Sequence, residues 1–179
     1  INSLRHTPKA LRFRETLYRF KYVFTVAITV TFLVFSLLLA PFADESYNLF
    51  SLNSYLTHIF SPAFAVADFF TDDYPLRLSK KHVLATIIPP LSYYGVTMLL
   101  SALRVDFGRG DNFPYLFIDF YSPAGLFGFT LSPVPSMGAV YWVIAFTSLI
   151  WSIAFLYARL QPFAVKARRA QKNKALDFA

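Results

Sequence analysis

The chain of 179 residues contains no cysteine. That excludes disulfide frameworks, thiolate metal sites and cysteine nucleophiles. Charge is also scarce, at 15% of residues against roughly 25% in ordinary soluble domains. Histidine occurs only as His6, His58 and His82. No HxxxH or HExxH spacing is present, so neither a metal nor another cofactor is expected. Haem ligation by two histidines lacks a second ligand at the depth of His58. No internal repeat and no low-complexity tract is visible.

Apolar and aromatic residues fill the space that charge leaves. The chain is 56% hydrophobic, with 21 Phe and 11 Tyr, and its mean hydropathy is +0.46. Run length decides what this means, because a helix needs about 20 apolar residues to cross the hydrocarbon core. Four such runs are expected as spans: about 22–41, 52–70, 83–103 and 137–158. The first is charge-free from Tyr22 and ends at Pro41, and the third contains Pro89-Pro90. Proline inside a membrane helix frees carbonyls that must find other donors. Residues 104–136 form a long connection rich in Gly, Pro and aromatics. Its Phe120–Phe129 part, broken by Pro123, Gly125 and Gly128, is expected to be interfacial or re-entrant. The expected fold class is all-α, a polytopic transmembrane helix bundle filling residues 22–160. A basic segment, 1–21, precedes it, and a basic tail, 161–179, follows, its last residues mobile.

Formal net charge is +7. The segment before the first run, the 71–82 loop and the residues after the last run, from Arg159 on, together hold 15 of the 17 Lys and Arg. Positive charge is retained on the cytoplasmic side, so both ends are expected there. Clusters of this kind at span ends suit lipid headgroups, and no nucleic-acid motif accompanies them. Membrane lipids, and other membrane subunits, are the expected partners; nucleic acid is not.

The second run carries the chemistry. Ser54, His58, Ser61, Ala65, Asp68 and Asp72 recur at steps of four and three, which places them on one α-helical stripe. Lipid offers such a stripe no partners, so it is expected to face the bundle or a wet cavity. His58 suits a general base or a packing hydrogen bond equally. Asp68, near the cytoplasmic end, is expected to pair with Arg77 or Lys80. Thr25, Thr29, Tyr93 and Thr97 are candidate cavity-lining residues, although hydroxyls in membrane helices usually bond to backbone or to a neighbouring helix. Arg104 and Asp119 are candidates to line a cavity opening outward.

The run Leu17-Tyr18-Arg19-Phe20-Lys21-Tyr22-Val23 with Thr25 and Thr29, then His58-x-x-x-Pro62 with Asp68, resembles multipass proteins of Gram-positive bacteria. Pro90-Leu91-x-Tyr93-x-x-x-Thr97 and Tyr115-x-Phe117-Ile118-Asp119 continue the likeness over about residues 17–160. The family is the six-helix bacterial membrane proteins called Pr6Pr, distantly similar to the FAR-17a/AIG1-like family. The resemblance implies that the four spans are the last four of six, an expectation in keeping with a chain that starts at Ile1. It also implies, by analogy of fold, an intramembrane hydrolase of lipid-like esters with His58 as its base. The threonine nucleophile of those relatives lies in an earlier helix than any here. The leading expectation is therefore a non-catalytic membrane subunit or lipid- and partner-binding scaffold. The hydrolase is the alternative, and a small carrier or channel subunit ranks third.

Overall fold

The computed structural model describes residues 8–42, 48, 51–72, 78–108, 110–131 and 136–177. Of these, 77% are helical, with almost no strand. Three stretches are long and apolar enough to cross a membrane: Lys9–Leu39, Lys80–Ala102 and Ala139–Lys174. The chain divides into two units. One comprises residues up to Thr86 together with those from Ser152 onward; the other runs from Ile87 to Trp151.

In the first unit, α1 spans Pro8–Val34. It continues as a π-helical turn, Phe35–Leu39, and a 3-10 turn, Ala40–Phe42. The basic segment expected to precede the first crossing is, from Pro8 on, the beginning of the same helix. Next come α2 (Leu52–Tyr55), a second π turn (Leu56–Phe60) and α3 (Ser61–Thr71), which together make one continuous helical stretch. Asn53, Ser54, His58, Ser61 and Asp68 leave this stretch less apolar than the other three. Helix α4 is short, Lys80–Ala85, and is capped by a reciprocal pair: the Ser79 N–H donates to His82 Nδ1 at 2.9 Å.

Each interruption traces to proline, which has no N–H and whose ring collides with the carbonyl four residues back. Both π turns end two residues before a proline, Pro41 and Pro62. The wider turn is closed by Ala40 N–H to the Phe35 carbonyl in the first. In the second, Ser61 N–H and Ser61 Oγ both reach the Leu56 carbonyl. Pro89-Pro90 act in the same way after α4, where the chain leaves helical hydrogen bonding at Thr86–Ile87. There the Thr86 hydroxyl turns back to the Val83 carbonyl at 2.6 Å.

The first unit packs around Phe69, which is fully buried. The rings of Tyr18, Tyr22 and Tyr157 surround it at centroid distances of 5.7, 5.8 and 5.9 Å. The Tyr22 hydroxyl donates to the Ala154 carbonyl at 2.7 Å, tying α1 to the last helix. That helix, α6, spans Ala139–Asp177. The tail expected to be mobile is thus helical as far as Asp177, consistent with its Ala, Lys, Arg and Gln, all strong helix formers.

In the second unit, α5 spans Ile88–Ala102. The connection that follows contains a 3-10 turn, Leu116–Ile118, and a two-residue antiparallel ladder. In that ladder β1 (Phe129–Thr130) pairs with β2 (Ser136–Met137). Phe117 anchors the connection, with its ring 5.0 Å from Phe146 and 6.0 Å from Trp142 on the first turns of α6. The apolar 120–129 stretch is a chain of turns and not a helix.

Those turns cap α6. The N–H groups at a helix start have no partner within the helix. Here Gly138 N–H donates to the Gly128 carbonyl at 2.8 Å. Ala139 and Val140 donate to the carbonyls of Gly125 and Leu126, both at 3.1 Å. Gly138 has to be glycine for this, because a Cβ there would fall onto the Leu126 carbonyl.

Candidate functional site

The two π turns meet through their side chains. Phe35 from the first lies parallel to His58 from the second, with ring centroids 3.7 Å apart and planes 7° apart. His58 Nδ1 is buried and has no hydrogen-bond partner among the described residues. Single π turns of this kind concentrate at functional positions. Among the described residues no hydroxyl approaches that nitrogen and no backbone carbonyl closes it off. Phe35 was not legible as a site residue, since in sequence it is one more apolar residue of the first run.

The expected stripe is only partly brought together. Ser54 is buried, and its N–H is held by the Ser51 hydroxyl at 3.2 Å. His58 also faces inward. Beyond it the register changes. The π turn inserts one extra residue, so Pro62 and Phe69 take the buried positions expected of Ser61 and Asp68. Ser61 and Asp68 are exposed.

Asp68 nonetheless has a role. Its carboxylate pairs with Lys21 Nζ at 2.9 Å, and the same ammonium reaches Asp72 at 2.9 Å. The Arg168 guanidinium adds a 2.7 Å hydrogen bond to the Asp72 carbonyl oxygen. Among the described residues the partner of Asp68 is thus on α1; of the two expected partners, Arg77 lies outside the described residues. Lys21, counted in sequence only as a topology determinant, joins α1 to the end of α3.

The first-run hydroxyls serve packing. Thr25 donates to the Lys21 carbonyl at 2.8 Å and Thr29 to the Thr25 carbonyl at 2.7 Å. Thr29 Oγ1 also lies 3.1 Å from the Tyr157 hydroxyl.

In the second unit, Thr97 and Ser101 are buried on α5. Tyr93 is exposed, and its hydroxyl shares a hydrogen bond with that of Tyr115. Burial, reinforced by the Tyr93 hydroxyl, pushes the Tyr115 phenol above its ordinary pKa. Arg104 ends α5 at φ 60°, in the left-handed region that favours glycine. Its N–H bonds to the Ser101 carbonyl and that of Val105 to Leu100, a paired closure of the helix end. The guanidinium sits over the Tyr121 ring, 4.7 Å from its centroid. Asp119 accepts from Tyr121 N–H at 2.9 Å, so its carboxylate is engaged in shaping the turn. Arg104 and Asp119 thus meet at Tyr121, both in local roles. Among the described residues no three His, Asp or Glu side chains converge on a metal-sized site.

No known protein family, curated protein or solved structure matches the chain.

Proposed function

We propose that this chain is a non-catalytic subunit of a bacterial cytoplasmic membrane, crossing it four times with both ends in the cytoplasm and binding lipid or a partner subunit. The observation that carries this reading is the commitment of Thr25 and Thr29. Their hydroxyls satisfy helix carbonyls and Tyr157, which is how hydroxyls behave in helix packing between membrane spans. A nucleophile–base pair needs a hydroxyl within hydrogen-bond reach of its histidine, and the ring next to His58 is Phe35.

The fourth crossing in this reading is Leu52–Thr71. At about 1.5 Å per residue it approaches the thickness of the hydrocarbon core. Its polar residues then face other helices or the headgroups. Because the chain has no cysteine, topology is testable by single-cysteine labelling. Cysteines at Lys80 and Lys172 label from the cytoplasmic side, and those at Asn48 and Asn112 from the opposite side. Labelling of Asn48 and Lys80 from the same side removes the crossing. Native mass determination is expected to exceed one chain; a lone monomer counts against the subunit reading.

One observation favours the hydrolase implied by the resemblance to Pr6Pr and FAR-17a/AIG1-like proteins: the buried, unpartnered Nδ1 of His58. Labelling by a serine-hydrolase probe that disappears in His58→Ala, with the fold intact, would replace the subunit reading by that one.

A further inference from the structure

Asp119 and Arg159 bracket 39 residues without a single charge. A crossing needs about 20 of them. Ala139–Ala158, all helical, supplies that length by itself, at roughly 30 Å. Phe120–Gly138 is therefore an apolar surplus, and it lies at the end of the helix away from the basic tail.

Four of its apolar side chains turn outward. Phe127 is 65% exposed, Phe129 69% and Leu131 85%, with Leu126 beside them. Exposed apolar side chains on a turn usually meet an objection in lipid. Irregular backbone cannot enter hydrocarbon with its polar groups unpaired. Part of that pairing is supplied within the second unit. The carbonyls of Gly125, Leu126 and Gly128 accept from the first amides of α6, and the Ala124 carbonyl accepts from Gly128 N–H at 2.7 Å. Phe129–Thr130 and Ser136–Met137 pair with one another. These bonds pair part of the loop with the helix start. Tyr115, Tyr121 and Trp142 lie in the same unit, and aromatics of this kind collect at the membrane–water boundary.

The geometry points to residues 124–131 as a membrane-inserted loop that seats Leu126, Phe127, Phe129 and Leu131 in the acyl–headgroup boundary of the leaflet at the N-terminal end of α6. The occupant of this apolar face is lipid, because the face continues without a charge into a membrane-spanning helix. The inference rests on the reading of Ala139–Lys174 as a span, and the test separates the two.

Phe127→Cys, Leu131→Cys, Asn112→Cys and Phe155→Cys are each labelled with an environment-sensitive fluorophore. Each is then reconstituted as the full chain in phosphatidylcholine–phosphatidylglycerol vesicles with or without brominated phospholipid. Phe155 is an exposed residue of α6 and reports the span; Asn112 is the aqueous reference. The expected result is blue-shifted, bromine-quenched emission at Phe127 and Leu131, resembling Phe155 and unlike Asn112, at every lipid-to-protein ratio. Water-like, unquenched emission at 127 and 131 with Phe155 still quenched overturns the loop insertion and leaves the span standing. Emission that turns water-like on dilution with lipid shows a second copy as the occupant and also overturns it. Loss of quenching at Phe155 as well overturns the span and the loop together.

Discussion

The imidazole of His58 lies flat against the ring of Phe35, centroids 3.7 Å apart, while its buried Nδ1 has no partner among the described residues. The ring and the nitrogen therefore make separable contributions. His58→Phe keeps an aromatic face and removes the unpartnered polar atom, so it is expected to change unfolding free energy by less than about 0.5 kcal/mol. His58→Ala loses the stack and is expected to cost about 1–2 kcal/mol. Denaturant titration in detergent micelles distinguishes them. A Phe variant as damaged as the Ala variant would mean that the nitrogen is bonded after all.

Lys21 is shared by two carboxylates of unequal exposure. The Asp68 side chain is 72% exposed and that of Asp72 26%. Exposed pairs contribute little, whereas losing one member of a buried pair strands a charge. Lys21→Met is expected to cost about 1–3 kcal/mol, between those limits. Asp72→Asn is expected to cost more than Asp68→Asn, which should fall below about 0.5 kcal/mol. Thermal unfolding of the three variants in one lipid composition tests the order, and equal losses at the two aspartates would contradict it.

Arg104 holds a left-handed conformation that a side chain disfavours by roughly 1–2 kcal/mol, and its guanidinium gains from the Tyr121 face. Arg104→Ala keeps the backbone penalty and loses the ring contact. Arg104→Gly loses the contact but relieves the backbone. The glycine variant is expected to be more stable than the alanine variant by about 1 kcal/mol. If alanine proves equal to glycine, Arg104 is not in that conformation in the folded protein.

Much of the helical organisation was legible. Apolar run length identified the three stretches able to cross a membrane, because length and charge are what a bilayer selects. The stripe on the second run was legible only as far as His58. A steady α-helical step carried Ser61 and Asp68 inward; the π turn before Pro62 gave those places to Pro62 and Phe69. Pro41, Pro62 and Pro89-Pro90 were the visible cue to such breaks, but sequence alone does not say whether a helix widens, stops or bends at a proline. Lys21 was hidden for a different reason. Its carboxylate partners are about fifty residues away, and long-range pairing leaves no local pattern. The contact of Arg104 with Tyr121 likewise lies beyond the reach of a local sequence pattern.

The loop that caps α6 bears on how this helix meets membranes of different thickness. A helix whose first amides depend on water must keep that end at the surface, and a thicker or thinner bilayer then forces tilt or local deformation. The start of α6 takes its hydrogen bonds from Gly125, Leu126 and Gly128, so that end carries its own solvation with it. In the proposed span, that capping holds at the boundary depth of the loop, while Gly138 lets the loop close.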